Sequence, residues 1–148
     1  MKEFLDRENV KYVSITHSPA YTAQEAAQSA HITGREFAKT VVVELDGRMA
    51  LAVLPANRKV VMQDLCEVTG SANVKFASEG QFKERFPECE TGAMPPFGNL
   101  YGMDVFVSPS LADNEEIAFN AGSHTEVIKL DYEDFARLVQ PKVIEFTT

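Results

Sequence analysis

Residues 38–55 read AKTVVVELDGRMALAVLP, and this stretch decides the fold. Two runs of apolar and β-branched residues, 38–45 and 48–55, flank the dipeptide Asp46-Gly47. An Asp-Gly pair between two such runs is a strong signal for a hairpin with a two-residue turn. The stretch therefore predicts two antiparallel strands, and the rest of the fold is built outward from them.

Further segments of both secondary-structure types surround this hairpin. We predict helices over 2–8, 23–31, 61–70, 79–86 and 132–139, and strands over 11–17, 73–77, 100–107, 116–120, 126–130 and 143–146. Thr22 with Glu25, and Ser78 with Gln81, show the capping-box pattern of a helix start. Hairpin-paired strands with irregularly placed helices indicate an α+β fold with a mostly antiparallel sheet.

Length and composition indicate one globular domain over residues 1–148. The sequence has no internal repeat and no low-complexity linker. Its first residues, MKEFLDRENVKY, are too rich in charge for a signal peptide, and no apolar run is long enough to span a membrane. Cys66 and Cys89 lack a CxxC spacing, so we expect free thiols and a cytoplasmic location.

The charge distribution argues against a DNA-binding protein. The net charge is −8, with 8 Lys or Arg against 7 Asp or Glu in residues 1–60, and 6 against 15 in residues 61–148. Proteins that grip a long duplex are basic, because neutralisation of phosphates supplies most of that affinity. Any contact with nucleic acid should therefore cover a small area, on the nearly neutral first part of the chain.

The common catalytic motifs are missing from the sequence. There is no P-loop, no dinucleotide-binding glycine pattern, no HExxH and no GxSxG. His17, His31 and His124 lie far apart, without the spacing of paired metal ligands. We therefore expect neither a metal nor a cofactor, although a metallohydrolase assembled from distant residues remains an alternative.

Lys39 is the first candidate for a functional residue. Its side chain shares one strand face with Val41 and Val43, since side chains alternate along a strand. One interpretation is a lysine that protects a sheet edge or extends its ammonium group to solvent. The other is a cation at the mouth of an apolar pocket, where it binds a phosphate or a polar head group.

Two loops are further candidates. In ETGAMPPFG (90–98), glycines let a ligand approach closely, Pro95 and Pro96 hold backbone groups in place, and Phe97 can supply an apolar wall. The turn NAGSH (120–124) could orient a substrate through its polar side chains. Both loops are also compatible with rigid connectors whose polar groups satisfy only the backbone.

Four segments in this order resemble the YbaK/prolyl-tRNA-synthetase-associated family of editing domains. They are HSPAYTAQEAA (17–27), REFAKTVVVE (35–44), ETGAMPPFG (90–98) and EEIAFNAGSH (115–124). The likeness extends from about residue 10 to residue 140. It implies a single editing domain with a curved, mostly antiparallel mixed sheet surrounded by helices.

The resemblance also implies roles for particular residues. Lys39 matches the family's functionally critical lysine. The loop from Gly92 to Pro96 matches a loop whose backbone carbonyl, here that of Gly92, helps to position the attacking water. The residues expected to contact the substrate are Tyr21, Thr22, Pro95, Pro96, Phe97, Gly122, Ser123 and His124.

The implied activity is trans-editing: hydrolysis of the ester between a wrong amino acid and the 3′ adenosine of tRNA. The PPFG ending and the NAGSH turn look closer to branches that act on small residues, so the expected amino acid is Ala, Ser, Thr or Cys. The expected partner is the aminoacylated 3′ end of tRNA, and a synthetase could supply the remaining affinity. The alternative is a non-catalytic module that binds an amino acid or an aminoacyl-nucleotide ligand.

Overall fold

The computed structural model describes residues 1–148. Its helices are α1 (Lys2–Arg7), α2 (Ala23–Ser29), α3 (Met62–Thr69), α4 (Glu79–Phe82), α5 (Pro109–Ala112) and α6 (Tyr132–Val139). Its strands are β1 (Tyr12–Thr16), β2 (Ala38–Leu45), β3 (Arg48–Pro55), β4 (Val74–Phe76), β5 (Asp104–Val107), β6 (Glu116–Asn120), β7 (Glu126–Asp131) and β8 (Lys142–Val143).

The β2–β3 hairpin has the predicted boundaries. The two strands pair antiparallel along their whole length, from Ala38 opposite Pro55 to the turn. Asp46 and Gly47 have φ values of 48° and 87°, and two consecutive positive φ angles are the mark of a type I′ turn. The carboxylate of Asp46 also accepts hydrogen bonds from backbone N–H groups of the segment that leads into β4.

The eight strands form two sheets. The first has the order β1–β7–β6 and is antiparallel throughout. The second has the order β4–β2–β3–β5–β8, in which β5 runs parallel to both of its neighbours. A single parallel bridge between Phe37 and Ala118 joins the two sheets. The α+β class and the mostly antiparallel mixed pairing are confirmed.

The core has three parts. The largest lies between the sheets and includes Val53 of β3 and Phe119 of β6, with Phe97 from the 90–98 loop. On the other side of the first sheet, α2 contributes a layer of buried alanines that contacts Ala118. On the other side of the second sheet, Leu65 of α3 packs with residues of β2, β3 and β5. These layers set the positions of α2 and β2, which border the site described below.

Four local predictions differ from the structure. The predicted strand 143–146 is observed only as β8, Lys142–Val143. The predicted helix 79–86 is α4 followed by a 3₁₀ turn, Lys83–Arg85. The predicted strand 100–107 begins at Asp104, because Gly98–Leu100 is also a 3₁₀ turn. At Thr22 only half of a capping box is present: its hydroxyl accepts from the Glu25 N–H but donates to the Glu25 carboxylate. No helix is long and apolar enough to span the bilayer core.

Candidate active site

Lys39 and Gly92 lie on the same small cavity. Its volume is about 210 Å³, and its walls come from the start of α2, the first half of β2, the 90–98 loop and the end of β6. The lining residues are Ala23, Ala38, Lys39, Thr40, Val41, Gly92, Met94 and Asn120. Lys39 is the only charged side chain among them. The structure therefore brings together the two residues that the sequence placed at the centre of the site.

The cavity lies where one edge of β2 is uncovered. Along this edge β4 pairs only with Val43–Leu45. At the other end of the strand, β6 meets β2 through the single bridge between Phe37 and Ala118. β3 pairs with one edge of β2 along its whole length, so β4 and β6 both contact the other edge of β2. Residues 38–41, between the two contacts, are left to border the cavity.

The Lys39 side chain is half-buried and held at one end of the cavity. Its Nζ donates a hydrogen bond to the Arg58 carbonyl, 2.6 Å away. Burial lowers the pKa of Lys39 below its ordinary value, and the charge of Lys59 lowers it further. A partly desolvated ammonium interacts more strongly with a substrate anion than a solvated one does, since less water screens it.

In the 90–98 loop, the Gly92 carbonyl lies between two carbonyls that are engaged in hydrogen bonds. The Thr91 carbonyl lies 2.9 Å from the Nε2 of His124, and the Ala93 carbonyl accepts from the Gly122 N–H at 2.9 Å. The carbonyl of Gly92, between them, accepts no hydrogen bond from the protein. Gly92 has a φ of +87°, a conformation that favours glycine. Its carbonyl is therefore free to accept from a bound water.

Gly122 anchors this loop. Its carbonyl accepts from the Glu90 N–H at 2.8 Å, and its own N–H bonds Ala93. Gly122 has a φ of +98°, so the turn after β6 depends on glycine to make both contacts. Gly122 does not line the cavity. Its place in the structure indicates support of the Gly92 backbone, and the substrate contact suggested by the sequence stays a prediction.

His124 also fixes the position of the 90–98 loop, through its contact with the Thr91 carbonyl. The side chain is buried, with 7% of its surface exposed, and its ring lies against that of Tyr21, 4.9 Å between centroids. Because the Thr91 carbonyl can only accept, Nε2 carries the hydrogen in this contact. Neither His124 nor Tyr21 borders the cavity that contains Lys39.

We expect the side-chain length at position 124 to control the loop. In His124→Gln the amide can still donate to the Thr91 carbonyl, whereas the shorter side chain of His124→Asn cannot reach it. The Asn variant should lose kcat by about tenfold or more, because small displacements of a positioned group are costly. The Gln variant should retain most of it. Equal losses in deacylation assays of the two variants would contradict this role.

The remaining predicted contacts lie away from the cavity. Pro95, Pro96 and Phe97 are all buried. Phe97 is fully enclosed and packs edge-on against Phe135, with ring centroids 5.4 Å apart. Pro95, Pro96 and Phe97 are turned away from the cavity, since burial of an aromatic ring such as that of Phe97 stabilises the fold. They hold the loop in place instead of lining the substrate cavity.

Two of the predicted residues remain near the site without entering it. Thr22 caps α2 and lines a neighbouring cavity that also contains Lys39. The Ser123 hydroxyl shares a hydrogen bond with Thr125, 3.2 Å away.

No cluster of three or more His, Cys, Asp and Glu side chains is placed to hold a metal.

Two polar residues of the cavity, Thr40 and Asn120, were not singled out in the sequence, although Asn120 begins the NAGSH turn. Asn120 Oδ1 and Thr40 Oγ1 are both buried without a hydrogen-bond partner, and both residues line the cavity. A buried polar atom that is left unpaired costs free energy, which a ligand can recover. The signal was present as a polar residue within an apolar strand: Thr40 interrupts AKTVVV, and Asn120 ends the apolar run of β6.

Comparison with known proteins agrees with this fold. Residues 17–138 match the model of the aminoacyl-tRNA editing domain family. A protein of Escherichia coli named multifunctional Ser/Thr-tRNA deacylase ProXp-y is 26% identical over 96% of this chain and 87% of its own length. The prolyl-tRNA editing protein ProX of Acetoanaerobium sticklandii is 25% identical over 92% of this chain and 86% of its own length.

Solved structures share the fold. A hypothetical protein superposes with a TM-score of 0.88 at 17% identity, over 99% of this chain and 98% of that one. A candidate trans-editing enzyme for prolyl tRNA synthetase superposes with a TM-score of 0.84 at 17% identity, over 99% of this chain and 94% of that one. The family match covers most of the chain and confirms the resemblance seen in the sequence. This chain belongs to the aminoacyl-tRNA editing domain family.

Proposed function

We propose that this chain is a trans-editing aminoacyl-tRNA deacylase, which hydrolyses the ester of a small amino acid on the 3′ end of tRNA. The observation that carries the proposal is the cavity shared by the Lys39 ammonium and the uncommitted Gly92 carbonyl. The first can stabilise negative charge and the second can hold a water. Membership of the editing family supports the reaction type.

The reaction needs positioning more than an activated nucleophile. In our proposal a water donates a hydrogen bond to the Gly92 carbonyl and attacks the ester carbon. The carbon–oxygen ester bond breaks, and a proton from the water reaches the ribose oxygen, with help from the neighbouring ribose hydroxyl. An aminoacyl ester is already activated, so orientation and charge stabilisation can supply the rate. Lys39 stabilises the developing negative charge or the terminal phosphate.

Asn120 and Thr40 would bind the amino acid itself. The α-ammonium group of an aminoacyl ester has only donors, and the unpaired Asn120 Oδ1 is an acceptor. The Thr40 hydroxyl also lines the cavity and can donate or accept. This contact would satisfy both buried atoms and fix the ester carbonyl relative to Lys39.

The size of the cavity favours a small side chain. About 210 Å³ must hold the amino acid together with the attacking water. A larger amino acid would clash with the apolar walls formed by Ala38, Val41 and Met94. We therefore propose Ala, Ser, Thr or Cys as substrate, with Ser and Thr favoured by the name of the Escherichia coli relative.

The remaining contact with tRNA is expected to be small. The net charge of −8 disfavours a grip on a long duplex, so recognition would rest on the single-stranded 3′ end. A synthetase that supplies additional tRNA affinity, and a cytoplasmic location, remain predictions of the same proposal.

A size series of mischarged tRNAs tests this function. The protein is incubated with tRNA carrying labelled Ala, Ser, Thr, Cys, Val or Phe, and the loss of ester is followed with time. We expect hydrolysis of one or more of the four small esters, and little or none of the Phe ester, because its side chain does not fit. The Val ester is nearly isosteric with the Thr ester, so the comparison of these two shows whether polarity is read in addition to size. Binding without turnover across the series would instead indicate a ligand-binding module.

A further inference from the structure

Lys39 borders a second cavity on its other side. This cavity has a volume of about 300 Å³ and is lined by Thr22, Ala23, Gln24, Lys39 and Ala56. Lys39 and Ala23 are also part of the first cavity. A third cavity, of about 360 Å³, shares Gln24 with the second and is lined by Gln24, Ala27, Gln28, Ile32, Gly34 and Asn57. Because neighbouring cavities share lining residues, we treat the three as one groove beside α2.

The third cavity, at the end of the groove away from Lys39, has polar groups that are suited to bind a nucleobase. Its polar side chains are three primary amides, from Gln24, Gln28 and Asn57, and it contains no carboxylate. Gln24 is engaged with the Ala56 carbonyl, but the amides of Gln28 and Asn57 make no hydrogen bond within the protein. Primary amides both donate and accept, as the edges of bases do. Ile32 and Ala27 offer an apolar floor for the face of a base.

The length and charge of the groove fit a short single strand. Ala23 and Gln28 are five residues apart, about 7.5 Å along a helix axis. This distance accommodates roughly two stacked nucleotides at about 3.4 Å each. Arg58 and Lys59 directly follow Asn57 in the sequence, and Lys39 of β2 contacts the Arg58 carbonyl. All three basic residues belong to the first part of the chain, where the charge is nearly balanced.

We propose that this groove binds the nucleotide that precedes the aminoacylated adenosine, with its base between Gln28 and Asn57. The terminal nucleoside occupies the second cavity, next to Lys39, and the aminoacyl group occupies the first. This inference rests on the proposed function, because it places the ester at Gly92. It adds a subsite for the single-stranded end of tRNA, outside the reacting group.

Two substrates of different length test the subsite. Gln28→Glu is nearly isosteric and brings a negative charge toward the nucleic acid, and Asn57→Ala removes the second amide. Each should lower kcat/KM for aminoacyl-tRNA by about tenfold, mainly through KM, in line with the loss of one base contact. Neither should change the hydrolysis of 3′-O-aminoacyl-adenosine, which lacks the preceding nucleotide. Gln140→Glu, with the same charge change beyond the end of α6, is the matched control.

A binding measurement separates this proposal from the function on which it rests. The trinucleotide CpCpA and adenosine monophosphate are titrated into the wild type and the Gln28→Glu variant. Weaker binding of CpCpA alone would support the subsite even if no ester were hydrolysed. The subsite would be contradicted if Gln28→Glu weakened the binding of CpCpA and adenosine monophosphate equally, or slowed the hydrolysis of both ester substrates equally. It would also be contradicted if the substitution had no effect on either measurement.

Discussion

Replacing Lys39 by methionine is expected to lower kcat for deacylation by about 10² to 10³, the usual cost of removing one group that stabilises charge in a transition state. Methionine keeps most of the length of the side chain and removes the ammonium. Lys39 is the only charged residue in the lining of the cavity, so no neighbour can replace it there. The measurement is single-turnover hydrolysis of the ester that the wild type cleaves best.

The stability of this variant should change little. The lowered pKa of Lys39 means that the folded state disfavours its protonated form, so loss of the charge removes an unfavourable term. Loss of the hydrogen bond to Arg58 acts in the opposite direction. Lys75→Met, at an exposed lysine of β4, is the matched control and should keep full activity. Full activity in Lys39→Met would contradict the assigned role.

Gly92→Ala is expected to have the second-largest effect, a loss of kcat by about 10². At a φ of +87° an alanine costs about 1–2 kcal/mol, so the peptide either stays strained or rotates and moves its carbonyl. The new Cβ would lie 3.6 Å from Cε1 of His124, an ordinary contact, so the effect comes from the backbone and not from a clash. Urea unfolding and deacylation kinetics on the same sample measure both consequences.

Gly70→Ala separates the loss of activity from the loss of stability. Gly70 ends α3 with a φ of +69° and has open space where a Cβ would be added. The substitution should lower the free energy of unfolding by a similar amount, about 1–2 kcal/mol, without lowering kcat. If the two variants lost kcat equally, the Gly92 carbonyl would have no special role in catalysis.

The sequence predicts those parts of this fold that depend on short-range physics. The hairpin at Asp46-Gly47 and the left-handed end of α3 at Gly70 are set by a few adjacent residues, and both are present as predicted. The capping box of α4 at Ser78 is also present. Division of the strands into two sheets depends on contacts between distant segments, which no local pattern encodes.

For the functional site too, local patterns identify individual residues, whereas contacts between distant segments decide their arrangement. Lys39 and Gly92 share a cavity because β2 and the 90–98 loop meet in space, and the sequence singled out both of them. It could not tell which side of the loop faces the cavity, so Phe97 and His124 were expected to contact the substrate. Asn120 was overlooked because an unpaired buried amide is visible only once its surroundings are known.

The most direct test of the account is turnover at low protein concentration. Seryl- and threonyl-tRNA, and the alanyl and cysteinyl esters, are each incubated with about one protein molecule per hundred esters, and the remaining ester is measured against a protein-free control. The account predicts that at least one of these pools is hydrolysed completely, and that it survives when Lys39→Met replaces the wild type. Ester lifetimes that stay equal to the control for all four amino acids would contradict it.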